Sequence, residues 1–165
     1  PPPKAVPSEE PVTLPVQPAQ VPADKMAMEM TERELLSVLI SPQSSDEAVL
    51  GALKEAEQRK VQGVVEASRY TLQRDSYVVR VETIRMLKRL KDQKGVPLLL
   101  TALDDHDPLV RGYAAGALGE LGSRKSLAYL SVRLSKEDVA EVKVALRRAI
   151  EKINGFPMQG EVSSQ

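Results

Sequence analysis

Apolar residues recur along this chain at helical spacing, in short runs with clear ends. The best-formed run spans residues 107–122, where Val110, Ala114, Ala117, Leu118 and Leu121 share one helical face. Asp107 can cap that helix, Pro108 suits its first position, and Gly122 suits the left-handed residue past its end. Ala114, Ala115, Gly116 and Gly119 keep its surface small, so a second helix can approach closely. Earlier, Thr31-Glu-Arg-Glu34 has the spacing of a capping box, and Leu35, Leu36, Val38, Leu39 and Ile40 follow it. That helix should stop before Ser41-Pro42, with Met26, Met28 and Met30 adding a turn in front. Ser44-Ser-Asp-Glu47 opens a helix carrying Val49, Leu50, Leu53 and Ala56, and a further helix is expected over residues 60–73. Asp75 is the expected cap of a helix running to Leu90, followed by one over residues 96–103 that holds Pro97 harmlessly in its first turn. Beyond the central helix, Ser123 should cap residues 124–134, and Ser135-Lys-Glu-Asp138 should open a last helix ending near Gly155. About eight helices result.

The pattern also repeats. Sliding the central run back by 31 residues places Val79-Arg80, Thr83, Met86-Leu87 and Leu90 beneath Val110-Arg111, Ala114, Ala117-Leu118 and Leu121. Sliding it forward by 32 places Val142-Lys143, Leu146, Ala149-Ile150 and Ile153 in the same columns. Three copies at one period predict a helical repeat array, in which each unit hides its apolar stripe only by stacking on the next. The motif Asp-x-x-Val-Arg-x-x-Ala-Ala-x-Ala-Leu-Gly-x-Leu-Gly at 107–122 resembles the HEAT repeat, in particular the short variety first described in phycocyanobilin lyase subunits. The likeness covers roughly residues 45–155, nearly complete in the second copy and degenerate in the others. It implies an all-α, right-handed α-solenoid of HEAT-like helix pairs, and a fold that mostly binds other molecules and rarely catalyses.

On this reading residues 24–155 form the repeat domain. Residues 24–41 make an N-terminal capping helix, the repeats occupy 44–74, 75–104, 105–135 and 136–155, and 156–165 form a frayed tail. Residues 1–23 stand apart. They hold eight of the twelve prolines, lack many amide donors, and are biased to extended polyproline II, which predicts a disordered, semi-rigid tether. Pro15-Val-Gln-Pro18 within it is a weak docking motif, without a closely flanking base.

Composition narrows the function. The chain has 165 residues, 23 basic and 23 acidic, so no global charge draws it to nucleic acid or to an anionic membrane. It has no Cys and no Trp, hence neither a disulfide framework nor a thiolate metal site. No apolar run reaches the length needed to span a bilayer, so no membrane insertion is expected. The expectation is a cytoplasmic module, with a processed or membrane-tethered form left open because the chain begins at Pro1. No cofactor is called for. His106 is the only histidine and an expected exposed turn residue. It supports neither a zinc site nor an activated nucleophile, and the paired histidines of HEAT-fold di-iron hydroxylases are lacking. Gly116-x-x-Gly119-x-x-Gly122 lacks the spacing and the lysine of a phosphate loop. Close helix packing is expected to explain Gly116 and Gly119. Asp75 with Arg80, Asp107 with Arg111, and Asp138 with Lys143 recur at the repeat period, which marks a structural ladder rather than a catalytic set.

Two surfaces are candidates for binding. If the second helix of each pair lines the concave face, Glu66, Arg69, Tyr70, Leu98, Thr101, Tyr129, Val132 and Arg133 form strips along it, rich in the Tyr and Arg that anchor protein interfaces. Residues 75–155 also hold 15 basic against 11 acidic side chains, with Arg85, Lys88, Arg89 and Lys91 clustered. That cluster offers an alternative track for a phosphate backbone. The expected function is a non-catalytic protein-interaction scaffold, monomeric within a larger bacterial-type protein or complex. The alternatives are a nucleic-acid-binding module and, from the resemblance, a bilin-lyase-like accessory subunit.

Overall fold

A computed structural model describes residues 26–155, and among them the chain forms eight α-helices and no strand. A 3₁₀ turn at Ala27–Glu29 precedes α1 (Glu32–Ile40), α2 (Asp46–Gln58), α3 (Val64–Thr71), α4 (Tyr77–Leu90), α5 (Val96–Ala102), α6 (Pro108–Leu121), α7 (Leu127–Lys136) and α8 (Ala140–Asn154). The expected Pro-rich tether and frayed tail lie outside the described residues.

Several ends follow from local chemistry as expected. The Thr31 hydroxyl accepts from the Glu34 amide while the Glu34 carboxylate accepts from the Thr31 amide at 2.7 Å. Asp107 accepts from the Leu109 amide at 2.8 Å, and Gly122 and Gly155 close α6 and α8 in the left-handed region. Other ends differ. The helix expected over 60–73 begins only at Val64, because Lys60 and Gly63 both turn the chain with positive φ. Ser45, rather than Ser44, caps α2. Ser123 opens a short 3₁₀ turn, Arg124–Ser126, and makes no side-chain cap. Ser76 and Val139 stand at the caps of α4 and α8, also without side-chain bonds. Arginine and glutamate organise those turns instead. Arg80 donates to the carbonyls of Arg74 and Asp75 at 2.6 and 2.8 Å, and Glu137 accepts from the amides of Asp138 and Val139 at 3.2 and 3.0 Å.

The same side chains tie repeat to repeat. Arg80 meets Asp105 at 2.9 Å and Arg111 forks onto Glu137 with two bonds of 2.8 Å. Arg111 also donates to the carbonyls of Asp105 and His106. The expected ladder exists, but the acids that answer Arg80 and Arg111 are Asp105 and Glu137 rather than Asp107 and Asp138. A guanidinium anchored near the start of its helix reaches into the next inter-repeat turn, not to the acid that starts its own. His106 is exposed in that turn, one ring nitrogen 3.2 Å from Arg80.

Helices α2, α4, α6 and α8 pack on one another in succession, while α1 leans on α2 and α3, α5 on α6, and α7 on α8. Contacts between α3 and α5, and between α5 and α7, are slight by comparison. A two-layer stack whose one layer is closely spaced and whose other is open bends toward the close layer. The inner layer is therefore α2, α4, α6 and α8. Leu53, Leu87, Leu118 and Leu146, one from each of these, are fully buried in one continuous core. The imperfect column at Thr83 is satisfied too, its hydroxyl lying 2.8 Å from both the Val79 carbonyl and the Thr71 hydroxyl.

The two glycines of α6 differ. A Cβ on Gly119 would stand 3.0 Å from the Ala149 Cα, so this glycine is what lets α8 approach; at Gly116 it would meet nothing within 4 Å. Close packing thus accounts for Gly119 and not, as expected, for Gly116. Gly119→Ala should cost about 1–3 kcal/mol through overpacking, whereas Gly116→Ala should gain about 0.5–1 kcal/mol of helix propensity. Urea midpoints moving in opposite directions would show it, and a shared direction would contradict the packing at Gly119.

Candidate interaction surface

The core takes one face of α6, with Val110, Ala114, Ala117, Leu118 and Leu121 buried. Leu109, Gly112, Tyr113 and Gly116 fall on the face left over. Gly112 and Gly116 lie one turn apart, and a Cβ on either would meet open space. The backbone of α6 is therefore recessed between its neighbours in the inner layer. The result is a groove of about 1010 Å³. Ile84, Arg85, Lys88 and Arg89 of α4 make one wall, and Val139, Glu141 and Val142 at the start of α8 make the other. Pro108, Leu109 and Tyr113 complete it.

Its charged rim is partly internally matched. The Arg85 guanidinium stands 4.8 Å from the Tyr113 ring centre, donates to the phenol oxygen at 2.6 Å and touches Glu82 at 3.4 Å. Arg89 forks onto Glu57 with bonds of 2.6 and 2.7 Å and reaches Glu82 at 3.1 Å. The Glu57 bonds hold its pKa above the usual arginine range. At the far end Lys152 pairs with Glu120 at 2.6 Å, and this bond, helped by Lys88 and Lys91, holds the Glu120 carboxyl below its ordinary value. These contacts link α2 to α4, α4 to α6, and α6 to α8. Of the four clustered cations, Arg85 and Arg89 are thus engaged, and the patch is less free for phosphates than the sequence suggested.

A family model for HEAT repeats matches residues 65–151, more than half of the chain. The chain belongs to the HEAT-repeat family. No curated protein matches it. HEAT repeats are generally protein-interaction scaffolds and are typically non-catalytic. Among the described residues no helix is long and apolar enough to cross a membrane.

In this HEAT array the strip expected on the concave face occupies the outer layer, on α3, α5 and α7. Nor does the strip form one surface. Tyr70 lines a hollow of about 620 Å³ with Ile40, Pro42 and Gln73, whereas Tyr129, Val132 and Arg133 line a smaller one of about 290 Å³ with Leu100 and Leu103. Leu98 is half-buried against the core, Thr101 donates to the Pro97 carbonyl, and neither lines those hollows. Glu66 meets Lys94 at 3.7 Å, and Arg69 lies 6.0 Å over Tyr70. Arg133 is drawn into the turn network, donating to Glu137 at 2.8 Å and meeting Asp104 at 3.6 Å. Tyr129 and Val132 remain open, 60 % and 53 % exposed. The groove residues Leu109, Gly112 and Tyr113 were not singled out from sequence, although the signal was there: a leucine, a tyrosine and two glycines on the helix face that the core leaves over.

Proposed function

We propose that this HEAT array is a non-catalytic docking module and that its protein partner seats in the groove over α6. The observation that carries this reading is the recess itself: bare backbone at Gly112 and Gly116, a mostly apolar lining with charged side chains at its rim, and a tyrosine stacked beneath an arginine at its side. Such a concave, mostly apolar site with a few fixed polar groups is the ordinary form of a binding surface. The outer hollow at Tyr129 and Val132 supports a second reading, because two exposed apolar side chains stand together there. Nucleic-acid binding through Arg85, Lys88, Arg89 and Lys91 is less well supported, since Glu57 and Glu82 already neutralise part of that cluster.

Photo-crosslinking side chains placed at Lys88, at Glu141 and at Tyr129 separate these readings. We expect one protein adduct common to positions 88 and 141, lost when Gly116→Leu is added. An adduct from position 129 alone would move the site to the outer layer. Absence of protein adducts at all three would overturn protein docking.

A further inference from the structure

Granting docking over α6, we infer that the occupant is an amphipathic helix that lays small or apolar side chains over Gly112 and Gly116 and turns acidic side chains toward α4.

The slot has the dimensions of a helix. Packed helices lie about 8–10 Å apart, so a helix resting on the recessed floor of α6 at that spacing has its axis about 11–14 Å from those of α4 and α8. With side chains a helix is about 10–12 Å across, so such an occupant sits on α6 and is within reach of long side chains from both flanks. The floor suits it as well: two glycines one turn apart let an incoming backbone come close, and Leu109 and Tyr113 supply apolar contacts on the same face. An extended peptide gains less here, because the described residues contain no sheet edge to extend.

Charge sets which way the occupant faces. On the α4 side Lys88 and Lys91 both bear on the Glu120 carboxylate, which is already paired with Lys152 of α8, and Glu82 is divided between Arg85 and Arg89. Positive charge is therefore left over along that wall. The α8 wall instead presents Glu141. A helix with acids along its α4 flank satisfies the surplus and keeps those acids from Glu141. A helix with bases on that flank meets like charge.

Fluorescence anisotropy with three synthetic probes tests this on the full chain. The probes are a Leu/Ala-striped helix with a Glu flank, the same helix with Lys replacing Glu, and a Pro-rich peptide of equal length. The Glu-flanked helix should bind about tenfold more tightly than either alternative. Lys88→Glu with Lys91→Glu should reverse the preference between Glu and Lys probes. Gly116→Leu, which fills open space, should weaken the Glu probe by about tenfold or more with helical signal retained and melting temperature not lowered. Equal binding of the two helices, tighter binding of the Pro-rich peptide, or indifference to Gly116→Leu would overturn the inference. If no probe binds while the adduct at positions 88 and 141 persists, the groove stands as a docking site and the helical occupant is rejected; loss of both rejects both.

Discussion

Leu118→Asp is expected to unfold the array. Leu118 is fully buried at the centre of α6, which packs against α4, α5 and α8. Truncating such a leucine to alanine alone costs about 2–5 kcal/mol. A carboxylate left there without a partner adds several kcal/mol more of desolvation. Against a total stability of about 5–15 kcal/mol, little remains. Because each unit depends on its neighbours, loss at the centre should separate the two ends rather than fray one of them. Far-UV circular dichroism should show most of the helical signal gone, while Leu109→Asp, on the open face of the same helix, should keep it. A cooperative melt retained in Leu118→Asp would show that the interior has been misplaced.

The second large effect lies at Glu137. This residue is 2 % exposed and accepts bonds from Arg111, from Arg133 and from two backbone amides. Glu137→Ala would leave the buried Arg111 guanidinium without its carboxylate, at a cost of about 3–5 kcal/mol. The turn between α7 and α8 would lose its organiser as well. Acid should act through the same group. Hydrogen bonds from Arg111 above all, then from Val139 and Arg133, hold the Glu137 carboxyl well below its ordinary value of 4.5, against the opposing effect of burial. A group depressed in this way stabilises the folded chain fully above its unfolded value. That contribution is lost as pH falls below about 4.5 toward the folded value. Urea midpoints at about pH 6 and about pH 3 should therefore differ more in the native chain than in Glu137→Gln, which starts lower and has less to lose. Equal acid sensitivity in both would remove Glu137 as the cause.

How much of this was legible in the residues depended on how local the cause was. The helix stripes, the Thr31 box, the Asp107 cap and the left-handed Gly122 and Gly155 rest on neighbours a few residues away, and the structure places them as read. The repeat period named the family for the same reason, since the Val-Arg and Ala-Leu columns are spaced along one helix. Errors arose where the deciding partner was distant. Arg80 and Arg111 find their acids about 26 residues on, in the next inter-repeat turn as expected, but at Asp105 and Glu137 rather than at the repeating Asp107 and Asp138. Arg133 looked like an exposed anchor until the fold brought Glu137 and Asp104 to it. Gly116 and Gly119 share one helix and one pattern, yet only Gly119 meets another backbone. Which layer lies inside is a property of the whole stack, and no single helix carries it. A reading helix by helix therefore picks out Tyr70 and Tyr129 and passes over Tyr113.

The unequal layers also have a mechanical consequence. A row of helices in unbroken contact, cross-linked by Glu57 with Arg89, Arg85 with Tyr113 and Glu120 with Lys152, resists stretching. The outer row, where α3 and α5, and α5 and α7, scarcely touch, can spread or close there at small cost. Such a body behaves like a leaf spring clamped along its inner surface: it flexes without lengthening the seat, and whatever fills that seat stiffens the whole.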